Sequence, residues 1–387
     1  MAQKLPLFSA DDHIIEPPDV WQRRLPTKYR ERGPRCEFSK GKQIWYFEDS
    51  ASPVIGLQAM AGRKAEDFTP TAITYDDMRP GCYDPVARAK DLDEDGVVHS
   101  VCFPSFPGLA GNVFVRAQDK ELALACIQAY NDWNIEEWCG AVPGRYVPAM
   151  ILPLWDAALS ATELRRTADR GAKAFCFTEF PHKLGLPSVY DEAWTPLWTA
   201  ADETRIPALM HIGSSMSELS FEVTPGAPPA VFVTNSPLSS FYAASDLIWC
   251  PALAKFENLK FVMSEGGIGW VPYLLERADY TWEKHRFWTG STHMTEKPSH
   301  YFKRSVFVCF IDDVVGIEMR HTIGVDNILW ESDYPHTDTT WPNSQAVVER
   351  HLGNIPEGDR RRIVYENACR LFQVEPALEP TAVGAPA

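Results

Sequence analysis

Residues 327–336 read NILWESDYPH, and the rest of the chain can be read outward from this decapeptide. Its apolar half, Ile328-Leu329-Trp330, does not alternate with polar residues, which is how a strand buried on both faces reads. Its polar half delivers Glu331, Ser332, Asp333 and His336 where the apolar run stops. The same construction recurs upstream in Leu7 to Ile15 (LFSADDHII), Ala174 to Phe180 (AFCFTEF), Pro207 to Gly213 (PALMHIG) and Lys260 to Gly266 (KFVMSEG). Three further apolar runs, His99 to Ser105, Tyr146 to Leu152 and Val306 to Ile311, complete a set of eight strands.

Stretches of helical periodicity lie between them. Leu122 to Trp138 places Leu122, Cys126, Ile127, Tyr130 and Trp133 on one face. Ala157 to Asp169, Ala193 to Thr204, Leu238 to Phe256 and Val271 to Phe287 read similarly, the last with Pro272 in its first turn. Eight strands with intervening helices predict an α/β fold, a (β/α)8 TIM-like barrel. A doubly wound sheet is the rival, but the chain lacks its G-x-G-x-x-G turn. Two insertions break the rhythm. Trp21 to Asp84 predicts a small cap after the first strand, with a hairpin in KGKQIWYFED (residues 40–49). Ser214 to Leu238 predicts a lid or binding loop. The expected organisation is one barrel domain over residues 1–375, with the insertion at about 21–84, and a loose tail over 376–387.

Composition narrows the function classes. The chain has 387 residues, 45% of them hydrophobic, and 37 Lys+Arg against 52 Asp+Glu give a net charge of −15. Without a basic run, so acidic a chain argues against nucleic acid and anionic membrane as partners. No stretch reaches the ~20 apolar residues of a spanning helix, and the N-terminal residues lack a signal-peptide pattern. The nine cysteines are scattered without C-x-x-C, so they are expected to be small apolar core residues. A reduced cytoplasmic protein is the expectation.

Barrel chemistry sits at the carboxyl ends of the strands. Period-two geometry puts Asp11 and His13 on one face of the first strand and Asp12 on the other. Glu179, His211, Glu265, Asp333 and His336 come from four other strand ends. Converging carboxylates would repel each other and resist desolvation, and a divalent cation resolves that conflict. Trp45, Trp133, Phe221 and Trp341 are candidate pocket-lining aromatics. His285, His293 and His300 read as a solvated helix–loop surface. Serine-hydrolase, zincin and P-loop motifs are absent from the sequence.

The set Asp11-Asp12-His13-Ile14-Ile15-Glu16-Pro17, His211-Ile212-Gly213, Glu265-Gly266-Gly267-Ile268-Gly269-Trp270 and Ser332-Asp333-Tyr334-Pro335-His336 resembles the amidohydrolase-related family 2. This is the aminocarboxymuconate-semialdehyde decarboxylase-like branch of the amidohydrolase superfamily. The resemblance implies a catalytic divalent metal, one or two ions of Mn2+, Fe2+ or Zn2+, with Asp11, His13, His211 and Asp333 as ligands. Asp11 stands where many members carry His, and Glu265 where a sixth-strand histidine activates water. More carboxylate hardens the site toward Mn2+ or Fe2+ and suits a second ion at Glu265, His336 or Glu179. The expected activity is decarboxylation or hydrolysis of a small carboxylated substrate. Asp333 would be ligand and proton carrier, Glu265 and His336 would assist, and an Arg or Lys from the insertions would grip the carboxylate. The alternatives are a non-haem Fe/Mn dinuclear oxygenase subunit resembling 2-aminoisobutyrate hydroxylase, or a non-catalytic partner of such a complex. The family also implies a homodimer or a heteromer with a related barrel subunit.

Overall fold

The computed structural model describes residues 5–215 and 224–376. Its strands are β1 (Leu7–Ile14), β2 (Arg35–Ser39), β3 (Lys42–Phe47), β4 (Ser50–Pro53), β5 (Val97–Pro104), β6 (Tyr146–Val147), β7 (Ala149–Met150), β8 (Ala174–Phe177), β9 (Ala208–His211), β10 (Phe261–Ser264), β11 (Val306–Phe310) and β12 (Ile328–Trp330). Parallel pairing runs β1-β5-β6 and then β7-β8-β9-β10-β11-β12. β6 and β7 are one predicted strand divided at Pro148, which has no N–H for the ladder.

The ends of the array meet. The Asp333 N–H donates to the Asp11 carbonyl at 2.9 Å, and the His13 N–H donates to the Tyr334 carbonyl at 2.7 Å. The result is the TIM-like barrel that the apolar runs predict. Every residue of β8 through β12 is buried, which explains why those runs do not alternate.

Several boundaries differ from expectation. Only Ile328–Trp330 of the eighth run is strand, because its polar half leaves the ladder and Asp333 adopts φ +58°. The Leu238 to Phe256 helix is two helices, Leu238–Trp249 and Pro251–Lys255. Pro251 disfavours helical backbone at Cys250, which takes φ −73° and ψ 131°. Lys120–Trp133 is capped by Asp119, whose carboxylate accepts the N–H groups of Glu121 and Leu122. The predicted hairpin is part of a three-stranded antiparallel sheet, β2-β3-β4.

That small sheet packs on the segment following β5. Trp45 stacks on Phe106 at 4.6 Å and meets Trp21 edge-on at 5.3 Å, while Phe47 meets Phe114 at 5.4 Å. All nine cysteines are free and eight are buried, as the scattered spacing predicts. No helix among the described residues is long and apolar enough to cross a membrane. Phe221, part of the second insertion and nearly all of the predicted tail lie outside the described residues.

Candidate metal centre

β1 carries an irregularity between Ser9 and Asp12 where its register against β5 shifts. Beyond it, Asp11 and His13 meet His211 from the end of β9, each offering a ligand atom within 4.8 Å of the others. His13 also belongs to a second such group with Glu265, Asp333 and His336. The shortest approaches are 3.0 Å from His211 Nε2 to Glu265 Oε2 and 3.1 Å from His13 Nε2 to Asp333 Oδ1. His336 Nδ1 lies 3.1 Å from the same Asp333 oxygen, and its ring stacks on His13 at 3.6 Å.

These approaches do not satisfy the groups involved. Both carboxylate oxygens of Asp11 and of Asp333 are buried without a hydrogen-bond partner of good geometry, as is His336 Nε2. His211 Nδ1 lies 2.6 Å from the Ile212 carbonyl, so that nitrogen is the donor and Nε2 is the one turned toward the cluster. Its Nε2 comes within 3.3 Å of His13 Nε2. Unpartnered oxygens and facing imidazole nitrogens, all buried, are a donor set that a divalent cation fits.

The electrostatics describe the same conflict. Burial holds the Asp11 carboxyl well above its usual range, with Glu331, Asp333 and Glu265 adding to the rise. Burial, followed by His336 and His211, pushes His13 well below the ordinary imidazole value. For His211 and His336, burial opposes the charge, but Glu265 and Asp333 respectively outweigh it and the net shift is upward. Backbone strain accompanies the charge. Glu265 and Asp333 both sit at φ +58°, a region costing a non-glycine residue roughly 1–3 kcal/mol.

Asp12, on the opposite face of β1 as period two predicts, is fully partnered. It accepts from Ser9 Oγ at 2.9 Å, from Ser100 Oγ, and from the Tyr334 N–H at 3.0 Å. Buried Arg88 donates to the Gly81 carbonyl at 2.7 Å and the His13 carbonyl at 2.5 Å, fixing the ligand strand from behind.

A cavity of about 530 Å3 opens on this centre, and His13, His211, Glu265 and His336 line it. Glu179 lines it too but joins neither ligand group; its carboxylate accepts from Ser239 Oγ at 2.5 Å, and burial raises it to about 7. Trp45, Trp133 and Trp341 do not line this cavity, because each is committed elsewhere. Trp45 belongs to the cap sheet, Trp133 packs on Trp138, and Trp341 Nε1 donates to the Asp91 carbonyl at 2.8 Å. Among the described residues, Phe232 is the one Phe, Tyr or Trp that lines this cavity. His285 accepts from the Trp288 indole, His293 and His300 are exposed, and none joins the ligand groups.

Sequence reasoning passed over Glu331 and Asp338. Glu331 is fully buried and accepts the Glu265 N–H with both oxygens at 3.2 Å. Its signal was present: it is the first polar residue after Ile328-Leu329-Trp330, two before Asp333. Asp338 lines the cavity, where burial, Glu265 and Asp333 raise it to about 6. It sits in an irregular stretch where no periodicity marks it.

The model of the Amidohydrolase family (Amidohydro_2) matches residues 19–374. The chain belongs to the amidohydrolase family. That match starts beyond β1, so family membership does not depend on Asp11 or His13. No curated protein matches this chain. Among solved structures, an amidohydrolase from Mycobacterium avium subsp. paratuberculosis K-10 is similar at 21% identity and a TM-score of 0.71, over 96% of this chain and 100% of that one. The 5-carboxyvanillate decarboxylase LigW from Sphingomonas paucimobilis is 19% identical with a TM-score of 0.59, over 77% and 87%. A dihydroxybenzoic acid decarboxylase from Polaromonas sp. JS666, solved with bound manganese and 2-nitroresorcinol, is 18% identical with a TM-score of 0.60, over 95% and 97%. At these identities the likeness is one of fold.

Proposed function

We propose that this amidohydrolase is a divalent-metal-dependent enzyme that decarboxylates a small carboxylated substrate. One observation carries the reading: the buried, unpartnered oxygens of Asp11 and Asp333 face the imidazoles of His13 and His211 beside a cavity of small-molecule size. Decarboxylases among the similar folds, one of them with bound manganese, support the reaction class and make manganese the first choice.

Asp11, His13, His211 and Asp333 would hold the ion. Bound there, it would neutralise the carboxylates and supply positive charge for substrate oxygens. The chain's own groups move the proton. In decarboxylation the bond to the carboxyl carbon breaks, CO2 leaves, and a proton replaces it on the remaining carbon. Of the cluster members that line the cavity, His336 and Glu265 are the most exposed, at 17% and 18% of their side chains. His336 is backed by Asp333 at 3.1 Å and Glu265 by His211 at 3.0 Å, so each has a neighbour with which to exchange a proton.

The test is elemental analysis of protein grown with manganese, combined with CO2 release from 5-carboxyvanillate and 2,6-dihydroxybenzoate. Turnover that follows metal content and consumes no O2 is expected. Full activity after metal removal overturns the reading, and so does oxygen uptake matching turnover, which would favour the oxygenase alternative.

A further inference from the structure

A second cavity, of about 310 Å3, lies between the cap sheet and the barrel. Trp45, Val54 and Ile55 line it from the cap, and Ile15 and Phe106 from the barrel. Ser105, just past β5, and Gln58, from the cap insertion, line both this cavity and the one beside the metal centre. The two spaces therefore abut at that pair of side chains.

The lining says what fits there. Among the described residues no Lys, Arg or His lines the second cavity, and its one carboxylate, Glu16, accepts the N–H groups of Ser105 and Phe106 at 3.0 and 2.9 Å. An anion would meet no counter-charge, so the carboxylate of a substrate belongs in the first cavity. Most of the remaining wall is apolar, with Trp45 stacked on Phe106 at 4.6 Å. A cavity of about 150 Å3 holds benzene, so this volume accommodates one ring. At the junction, Ser105 Oγ is buried with no hydrogen-bond partner, a deficit that a polar atom of a ligand would remove.

Both walls are fastened. Glu16 ties the Ser105–Phe106 segment to the end of β1. Glu48, in the turn between β3 and β4, accepts the N–H groups of Gln118 and Asp119 at 2.8 and 3.0 Å. Past Gln58, the Met60 and Ala61 N–H groups donate to the Pro335 carbonyl at 2.9 and 3.1 Å. A space held open in this way takes a ligand at little ordering cost.

We infer that the cap cavity is a distal subsite of the metal-centre cavity, and that the substrate class is a two-part acid. Its carboxylated head lies at the metal centre and is joined, through a hydrogen-bonding atom at Ser105, to an uncharged ring under the cap. This rests on the decarboxylase reading for the position of the head carboxylate.

Titration calorimetry on the manganese-loaded full chain compares benzoate with 3- and 4-phenoxybenzoate. At least one phenoxy acid is expected to bind about tenfold to a hundredfold tighter, the range for burying one ring. Val54→Phe, which fills the cavity from the cap side, should bring that ratio to near one. Ser52→Trp, from the exposed strand β4, makes the same test should Val54→Phe fail to fold. A crystal structure with the tighter acid should show its distal ring against Trp45 and Ile55. Equal affinity for the three acids overturns the inference, as does binding of none, a ratio unchanged by filling the cavity, or a distal ring lodged beside Phe232. Failure of the decarboxylase reading shows differently. There, the phenoxy acids keep their Val54-dependent advantage while neither 5-carboxyvanillate nor 2,6-dihydroxybenzoate releases CO2.

Discussion

Asp11 and Asp12 are neighbours on one strand, both completely buried, and they have opposite fates. On the outer face, Asp12 meets two hydroxyls and a backbone N–H, and so ties β1 to β5 and to the Ser332–Tyr334 corner. On the inner face, Asp11 meets no donor, and other carboxylates raise its pKa further. A buried carboxylate with its partners built in is architecture. One without them is waiting for a charge that the polypeptide does not provide.

The largest effect should come from the inner face. Asp11→Ala or Asp333→Ala is expected to empty the metal site and lower kcat/KM about a thousandfold or more, with circular dichroism unchanged. A variant that keeps both metal and turnover would erase the distinction between the two faces.

Stability should then separate the neighbours by sign. Asp12→Ala leaves the Ser9, Ser100 and Tyr334 donors stranded and should cost about 2–4 kcal/mol in a denaturant melt. In metal-free protein, Asp11→Asn should instead raise stability, by about 1 kcal/mol, because it removes a carboxyl whose ionisation burial opposes without breaking a bond.

The pH response sharpens the comparison further. Burial pushes Asp12 from 3.8 to about 7, and Asp11 and Glu331 shift in the same direction. The folded state therefore binds more protons than the unfolded chain. Metal-free stability should be full below about pH 4 and decline as pH climbs toward 7. Loaded protein should behave differently, since protons compete with the ion at Asp11, and its melting advantage should shrink on acidification. Parallel curves for the two forms would contradict this.

The smallest effect belongs to the cap. Glu48→Gln weakens the hold on Gln118 and Asp119, and should cost about 1 kcal/mol or less while raising KM a few-fold.

Much of this was legible in the sequence because it depends on local spacing. The run-then-ligand pattern located the strand ends, and period two separated Asp11 and His13 from Asp12. What escaped depends on contacts between distant segments. Glu179 has the same sequence signature as Glu265, yet Ser239 claims its carboxylate. Trp45 and Trp341 resembled pocket aromatics until the cap and Asp91 supplied their partners. Arg116, which the sequence reading did not single out, follows β5 and lines the cavity.

The left-handed torsions at Glu265 and Asp333 bear on how this centre drifts. Asparagine tolerates that conformation better than almost any residue except glycine. At position 333, exchange to asparagine would discard the negative charge while the corner keeps its path. Descendants of such a barrel would then lose one carboxylate of the candidate site through one conservative step, their outline preserved.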